Sequence, residues 1–219
     1  GIVGWGGFGG APYSLPITES TDENDNLCPR LSATHRYLNQ LFREVAEKYK
    51  PDSYWLDFID GMPTHCVAPH MHDIDSFGTG LKLSLEAIRS AIQETTPNAV
   101  VQFRANYANL HTKAYANVWQ PEDSPGNFDQ LRLKALRMRP FSRGVAFASD
   151  QLYWDGSMDD TDVARFGMTA IMVGVPAFGP DLSRMPNSAR EIVKAWIRFY
   201  RTFQSDLNHG RLSPFGHFP

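Results

Sequence analysis

The sequence predicts an α/β protein of the (β/α)8-barrel (TIM-barrel) type, present in part, and three observations predict it. Short apolar runs alternate with segments whose apolar residues fall at helical spacing, which is the pattern of strands in a mainly parallel sheet. Several runs end in polar residues: Tyr54-Trp55-Leu56-Asp57-Phe58-Ile59-Asp60, Val100-Val101-Gln102-Phe103-Arg104 and Gly144-Val145-Ala146-Phe147-Ala148-Ser149-Asp150. Burying a carboxylate costs several kcal/mol unless it is paired or used, so an acid at a strand end calls for a partner or a task. Polar groups at the C-terminal ends of successive strands are the layout of a β/α-barrel site. The chain has 219 residues, short of the roughly 250 of a complete barrel.

The elements follow in order. Residues 1–27 form an irregular lead-in, Gly-rich at first and acidic from Thr18 to Asn26. No Gly-Lys-Ser/Thr follows the glycines and no helix opens after them, so the segment reads as a strand and loop rather than a phosphate cradle. Tyr37, Leu38, Leu41, Phe42 and Val45 predict a helix over Thr34 to Tyr49, which Pro51 stops. The Asp57 strand comes next. A second helix is expected over Leu81 to Glu94, with Leu85, Ile88 and Ile92 on one face. The Phe103 strand follows, then a strand over Ala116 to Trp119 and a helix over Phe128 to Arg139. After the Val145 strand, Thr161 is placed to cap a helix reaching toward Met168, and Thr169 to Val175 reads as a fifth strand. Ser188-Ala189-Arg190-Glu191 has the capping-box form and opens a last long helix. Trp196, Phe199 and Tyr200 on that helix read as core residues. The barrel is assigned to 28–210, with 211–219 as a tail or the start of a linker to a further domain.

Composition narrows the function classes. A net charge of −3 gives no electrostatic reason to expect nucleic acid. No apolar run reaches membrane-spanning length. Cys28 and Cys66 can pair but make no disulfide framework. A chain that begins with Gly1 is expected to be processed or part of a longer one, so compartment stays open. A partial barrel has unpaired strand edges, which invite aggregation or pairing with a partner, and a homo-oligomer is allowed.

Asp57 directly follows its apolar run and is the better nucleophile candidate, while Asp60 in Asp60-Gly61 looks like a turn residue. The competing reading of Asp57 is a cap or an ion-pair partner. A second acidic site lies in Trp119-Gln120-Pro121-Glu122-Asp123-Ser124-Pro125, where two prolines brace a loop and an aromatic precedes the acids. Sugar rings expose C–H faces that stack on aromatics, and retaining glycoside hydrolysis needs two carboxylates about 5–5.5 Å apart. On position alone, the reading of Glu122 and Asp123 as a solvated acidic pair at a helix N-terminus prevails. His65-Cys66-Val67-Ala68-Pro69-His70-Met71-His72-Asp73-Ile74-Asp75 holds enough ligand types for a metal, yet its spacing matches no standard zinc pattern. It is read as a substrate-facing loop, with no metal and no cofactor assigned. Asp155, Asp159, Asp160 and Asp162 read as a solvated acidic turn.

Leu27-Cys28-Pro29-Arg30, the following helix and Tyr54-Trp55-Leu56-Asp57-Phe58-Ile59-Asp60 resemble the catalytic barrel of α-galactosidase-like enzymes (melibiases) of glycoside hydrolase family 36 and clan D. The run from Phe103-Arg104-Ala105-Asn106-Tyr107 through Tyr115-Ala116-Asn117-Val118-Trp119 to Glu122-Asp123-Ser124-Pro125 is similar to that group's acid/base segment. Ala148-Ser149-Asp150-Gln151-Leu152-Tyr153-Trp154 resembles its next strand end, and Gly174-Val175-Pro176 its closing part. The resemblance implies a retaining double displacement on a terminal α-linked sugar in an oligosaccharide or glycoside. Asp57 falls on the nucleophile position and Asp123 on the acid/base, with Trp55, Asp60, Arg104, Trp119, Asp150 and Trp154 binding substrate. Flanking domains of a longer chain are implied too. Two departures leave the sugar open: Trp55 stands where many members have Lys, and Trp119 where an Arg is common. The alternatives are another clan D enzyme (an α-glucosidase or α-N-acetylgalactosaminidase), a carbohydrate-binding barrel without turnover, and a metal-dependent hydrolase centred on the His70 loop.

Overall fold

The computed structural model describes residues 27–57, 66, 71–104, 112–121, 127–141, 145–149, 158–179 and 181–211. The chain divides into two compact units, one comprising Gly1–Ala105 and His111–Asn117, the other Asn106–Leu110 and Val118–Pro219. Among the described residues there are five α-helices and four short strands, and every strand pair is parallel. That mixture is compatible with part of an α/β barrel.

The first unit holds helix α1 (Ser32–Tyr49), strand β1 (Ser53–Leu56), helix α2 (Phe77–Thr95) and strand β2 (Val100–Arg104). Helix α1 buries Thr34, Leu38, Leu41, Phe42 and Ala46 along one stripe. It ends as Lys50 turns left-handed (φ 44°) and donates its N–H to the Ala46 carbonyl, just before Pro51. Helix α2 begins at Phe77, a turn earlier than the apolar spacing predicts. The reason is a polar signal: Ser76 Oγ accepts the Thr79 N–H at 3.1 Å as an N-cap. Its Leu85, Ile88, Ala91 and Ile92 pack against α1.

Strand β1 pairs with β2 in the register Tyr54↔Val101, Leu56↔Phe103. Strand side chains alternate, so these four residues share one face. All four are buried, and Tyr54 lies 6.3 Å from the Phe42 ring of α1, which places this face under the helices. Burying such side chains contributes roughly 1.5–3 kcal/mol apiece. Trp55 and Gln102 sit on the opposite face, and Trp55 is 57% exposed. Asn117 completes the β2 ladder by accepting the Val101 N–H on its side-chain oxygen (2.9 Å) and donating its own N–H to the Val101 carbonyl (2.7 Å). Ala116 and Asn117 therefore precede the next strand rather than belong to it.

The second unit holds strand β3 (Val118–Gln120), helix α3 (Phe128–Met138), strand β4 (Ala146–Phe147), and helices α4 (Asp160–Val173) and α5 (Asn187–His209). Strand β3 pairs with β4, and a parallel bridge joins Ala148 to Val175. Two sequence expectations are corrected here. Asp159, not Thr161, caps α4, accepting the Asp162 N–H at 2.9 Å. Of the expected strand Thr169–Val175, Thr169 to Val173 are the end of α4, Gly174 caps it, and only Val175 makes a strand-like bridge. A short apolar run fits a buried helix turn as well as a strand, and Thr169, Ala170, Ile171 and Val173 are buried on α4. Gly174 (φ +144°) turns the chain, letting Val175 donate its N–H to the Phe147 carbonyl at 2.7 Å.

The capping box is also corrected. Helix α5 starts at Asn187 without a side-chain cap, and Glu191 accepts from Lys194 at 2.7 Å instead. Val193 and Ala189 pack with Val163 and Met185 in one hydrophobic cluster of this unit. Phe166 extends it, lying 5.7 Å from Phe128 and 6.0 Å from Phe178. Of the three aromatics expected in the core, only Tyr200 is buried. Phe199 is exposed and stacks at 4.8 Å on Phe203, while Trp196 is half-buried against Gly167.

Candidate active site

The site is built from the ends of β1 and β2. Because Leu56 is paired with Phe103, the next residues, Asp57 and Arg104, come side by side at the C-terminal edge of the two strands. Alternation puts both on the face opposite the helices, with Trp55 and Gln102 behind them. Arg104 Nη1 donates to Asp57 Oδ1 in an ion pair. The Arg104 side chain is only 6% exposed and that of Asp57 21%, so the pair is largely withdrawn from water. The ion-pair reading of Asp57 is thus what the structure shows. It is compatible with a chemical task, since a guanidinium fixes the direction of a carboxylate that stays reachable by solvent.

The other expected site residues fall unevenly. Trp55 lies two residues before Asp57 with its indole exposed, as an aromatic platform requires. Trp119, on β3 of the second unit, is 3% exposed and packs into the interior instead. Asp60, Asp123, Asp150 and Trp154 lie outside the described residues, as do His65 and His70. In the second unit the end of β4 leads to Ser149, which is buried and accepts the Ala177 N–H on its hydroxyl at 2.7 Å.

A second cluster was not visible as a unit in the sequence. Cys28, just before α1, meets Cys66 and His72 from the connection between β1 and α2, with their ligand atoms within 4.8 Å of one another. Both cysteines are thiols. Burial pushes the Cys28 thiol up to about 11; the neighbouring Cys66 adds to the rise and Arg30 opposes it. The sequence offered Cys28 and Cys66 as a possible pair and put Cys66 and His72 in one loop, but nothing in it joined all three, Cys28 lying 38 positions before Cys66.

No protein-family model and no curated protein matches the chain, so nothing of that kind supports family 36 in particular. Among solved structures, the chain is similar to α-L-fucosidase isoenzyme 2 from Paenibacillus thiaminolyticus, with a TM-score of 0.51 at 18% identity over 82% of this chain. The match spans 31% of the length of that enzyme. The likeness is one of fold, to part of that enzyme.

Proposed function

We propose that this chain belongs to a retaining glycoside hydrolase, with Asp57 as nucleophile and Asp123 as acid/base. The observation that carries the proposal is Asp57 itself, a carboxylate oriented by a buried arginine at the C-terminal ends of adjacent parallel strands, beside an exposed tryptophan. Barrel enzymes assemble their chemistry at that end. In the first step the Asp57 carboxylate attacks the anomeric carbon while Asp123 gives its proton to the departing oxygen. In the second, Asp123 takes a proton from water, and that water's oxygen displaces Asp57 from the sugar, restoring both acids. Arg104 holds the attacking carboxylate, and Trp55 offers an apolar face to the ring.

The sequence resemblance favours a terminal α-galactoside as substrate. The structural neighbour's name favours an α-L-fucoside as the second reading. Aryl α-galactoside, α-fucoside, α-glucoside and α-N-acetylgalactosaminide assayed with the full chain, Asp57→Ala and Asp123→Ala test both. Turnover of one glycoside, lost by more than about a thousandfold in Asp57→Ala, is the expected result. Turnover that survives Asp57→Ala overturns the assignment. Sugar binding without turnover in any variant replaces it with the carbohydrate-binding barrel.

A further inference from the structure

We propose that Cys28, Cys66 and His72 form a binding site for a thiophilic divalent cation of the zinc type, which ties the β1–α2 connection to the entry of α1. The inference is independent of the glycosidase reading. The three ligand atoms already lie within 4.8 Å of one another. Two sulfurs on a tetrahedral zinc, each about 2.3 Å from it, are about 3.8 Å apart. Closing the cluster onto an ion therefore takes movements of about 1 Å.

The frame around the ligands is built to hold that geometry. Asp73 and Ile74 donate their N–H groups to the Arg30 carbonyl at 3.2 and 3.1 Å, and Arg30 Nε returns a bond to the Ile74 carbonyl at 2.9 Å. Asp73 Oδ1 accepts the Ser32 N–H at 2.9 Å, which ties this connection to the first turn of α1. The segment carrying Cys28 is thus fastened to the one carrying His72 just beyond both ligands. Thr34 Oγ1 donates to the Cys28 carbonyl at 2.7 Å, fixing the backbone of the buried ligand. Helix α2 comes close to the residue after Cys28: a Cβ on Gly80 would stand 2.3 Å from the Pro29 carbonyl oxygen.

The donor set selects the ion. Two thiolates and a neutral imidazole suit zinc and its neighbours, and disfavour magnesium or calcium, which require oxygen ligands. On binding, each thiol gives its proton to solvent, and two thiolates cancel the charge of a divalent ion, so no net charge is left buried. The alternative, a Cys28–Cys66 disulfide, uses the sulfurs alone and has no need of the converging His72.

Cobalt(II) titration of the reduced, chelator-stripped full chain tests the proposal, followed by displacement with zinc chloride. One equivalent of cobalt should bind with thiolate-to-metal absorption in the near ultraviolet, and zinc should remove that absorption. His72→Ala should weaken binding by about a hundredfold or more, and Cys28→Ser should abolish the thiolate band or reduce it to that of one sulfur. If Cys28→Ser fails to fold, as circular dichroism would show, the wild-type cobalt spectrum and His72→Ala decide alone. Absence of the thiolate band in the wild-type chain overturns the proposal, as does unchanged affinity in His72→Ala. A purified, metal-supplied chain whose intact mass is lower by a pair of hydrogens assigns the sulfurs to a disulfide and also overturns it.

Discussion

The strand ends of the two units are finished differently. In the first, β1 and β2 run out into opposite charges, Asp57 and Arg104, set side by side with little exposure. In the second, β4 leads to a neutral hydroxyl, Ser149, which satisfies a backbone N–H of the next segment. Both solve the problem of a polar group in a dry place, at different cost. A hydroxyl bonded to an amide has small desolvation to recover, whereas two charges taken from water recover theirs only with good geometry. A fold that needed only scaffolding at β1 and β2 is served better by neutral partners. On the proposed reading, the charges at β1 and β2 hold the nucleophile of the reaction, and the hydroxyl at β4 is scaffold.

The sharpest way to break this contrast is a cycle of Asp57→Asn, Arg104→Met and the double variant. Removing Arg104 leaves a mostly buried carboxylate without this guanidinium and should destabilise the chain by about 2–4 kcal/mol, measured by urea denaturation. The double variant should regain part of that loss, because no charge is left unpaired. Turnover should separate the two roles. A purely structural pair predicts that the double variant recovers activity along with stability. A nucleophile predicts that every variant lacking Asp57 stays more than about a thousandfold below wild type, however well folded.

The same pair shows how far the sequence could be read. The Asp57 strand, the stripe on α1 and the apolar face of α2 were legible because period and length specify a local element. What Asp57 touches was not, because its partner lies 47 positions away and only the parallel register brings them together. The convergence of Cys28 with Cys66 and His72 was hidden for the same reason. Thr169–Val175 failed differently. Its apolar run is short enough to suit either a strand or a buried helix turn, and in the structure Thr169, Ala170, Ile171 and Val173 are buried at the end of α4. Legible and illegible thus divide at the range of the interaction: cap, stripe and turn are local, and the site is not.

Within the second unit, the turn that follows that misread helix is the next test. Gly174 holds φ at +144°, and a Cβ there would stand 2.0 Å from the Phe147 carbonyl oxygen, which accepts the Val175 N–H. Gly174→Ala should therefore cost about 3 kcal/mol, through strain and through loss of the bridge that aligns Val175 with β4. Urea denaturation of the variant reads it directly. A loss below about 1 kcal/mol would mean that this segment repacks freely and is not the fixed scaffold the contrast assumes.

The smallest expected effect probes the neutral strand end itself. Ser149 is 1% exposed, and its hydroxyl is the acceptor for the Ala177 N–H. Ser149→Ala should leave that amide unsatisfied in a dry environment and cost about 1–2 kcal/mol of stability. If this end is scaffold, turnover per folded molecule should stay at the wild-type value, unlike that of any Asp57 variant. A fall in turnover of tenfold or more in folded Ser149→Ala would say the reverse: the end of β4 would belong to the chemistry too. The contrast between charged and neutral strand ends would then mark two contributions to one reaction rather than a site and its support.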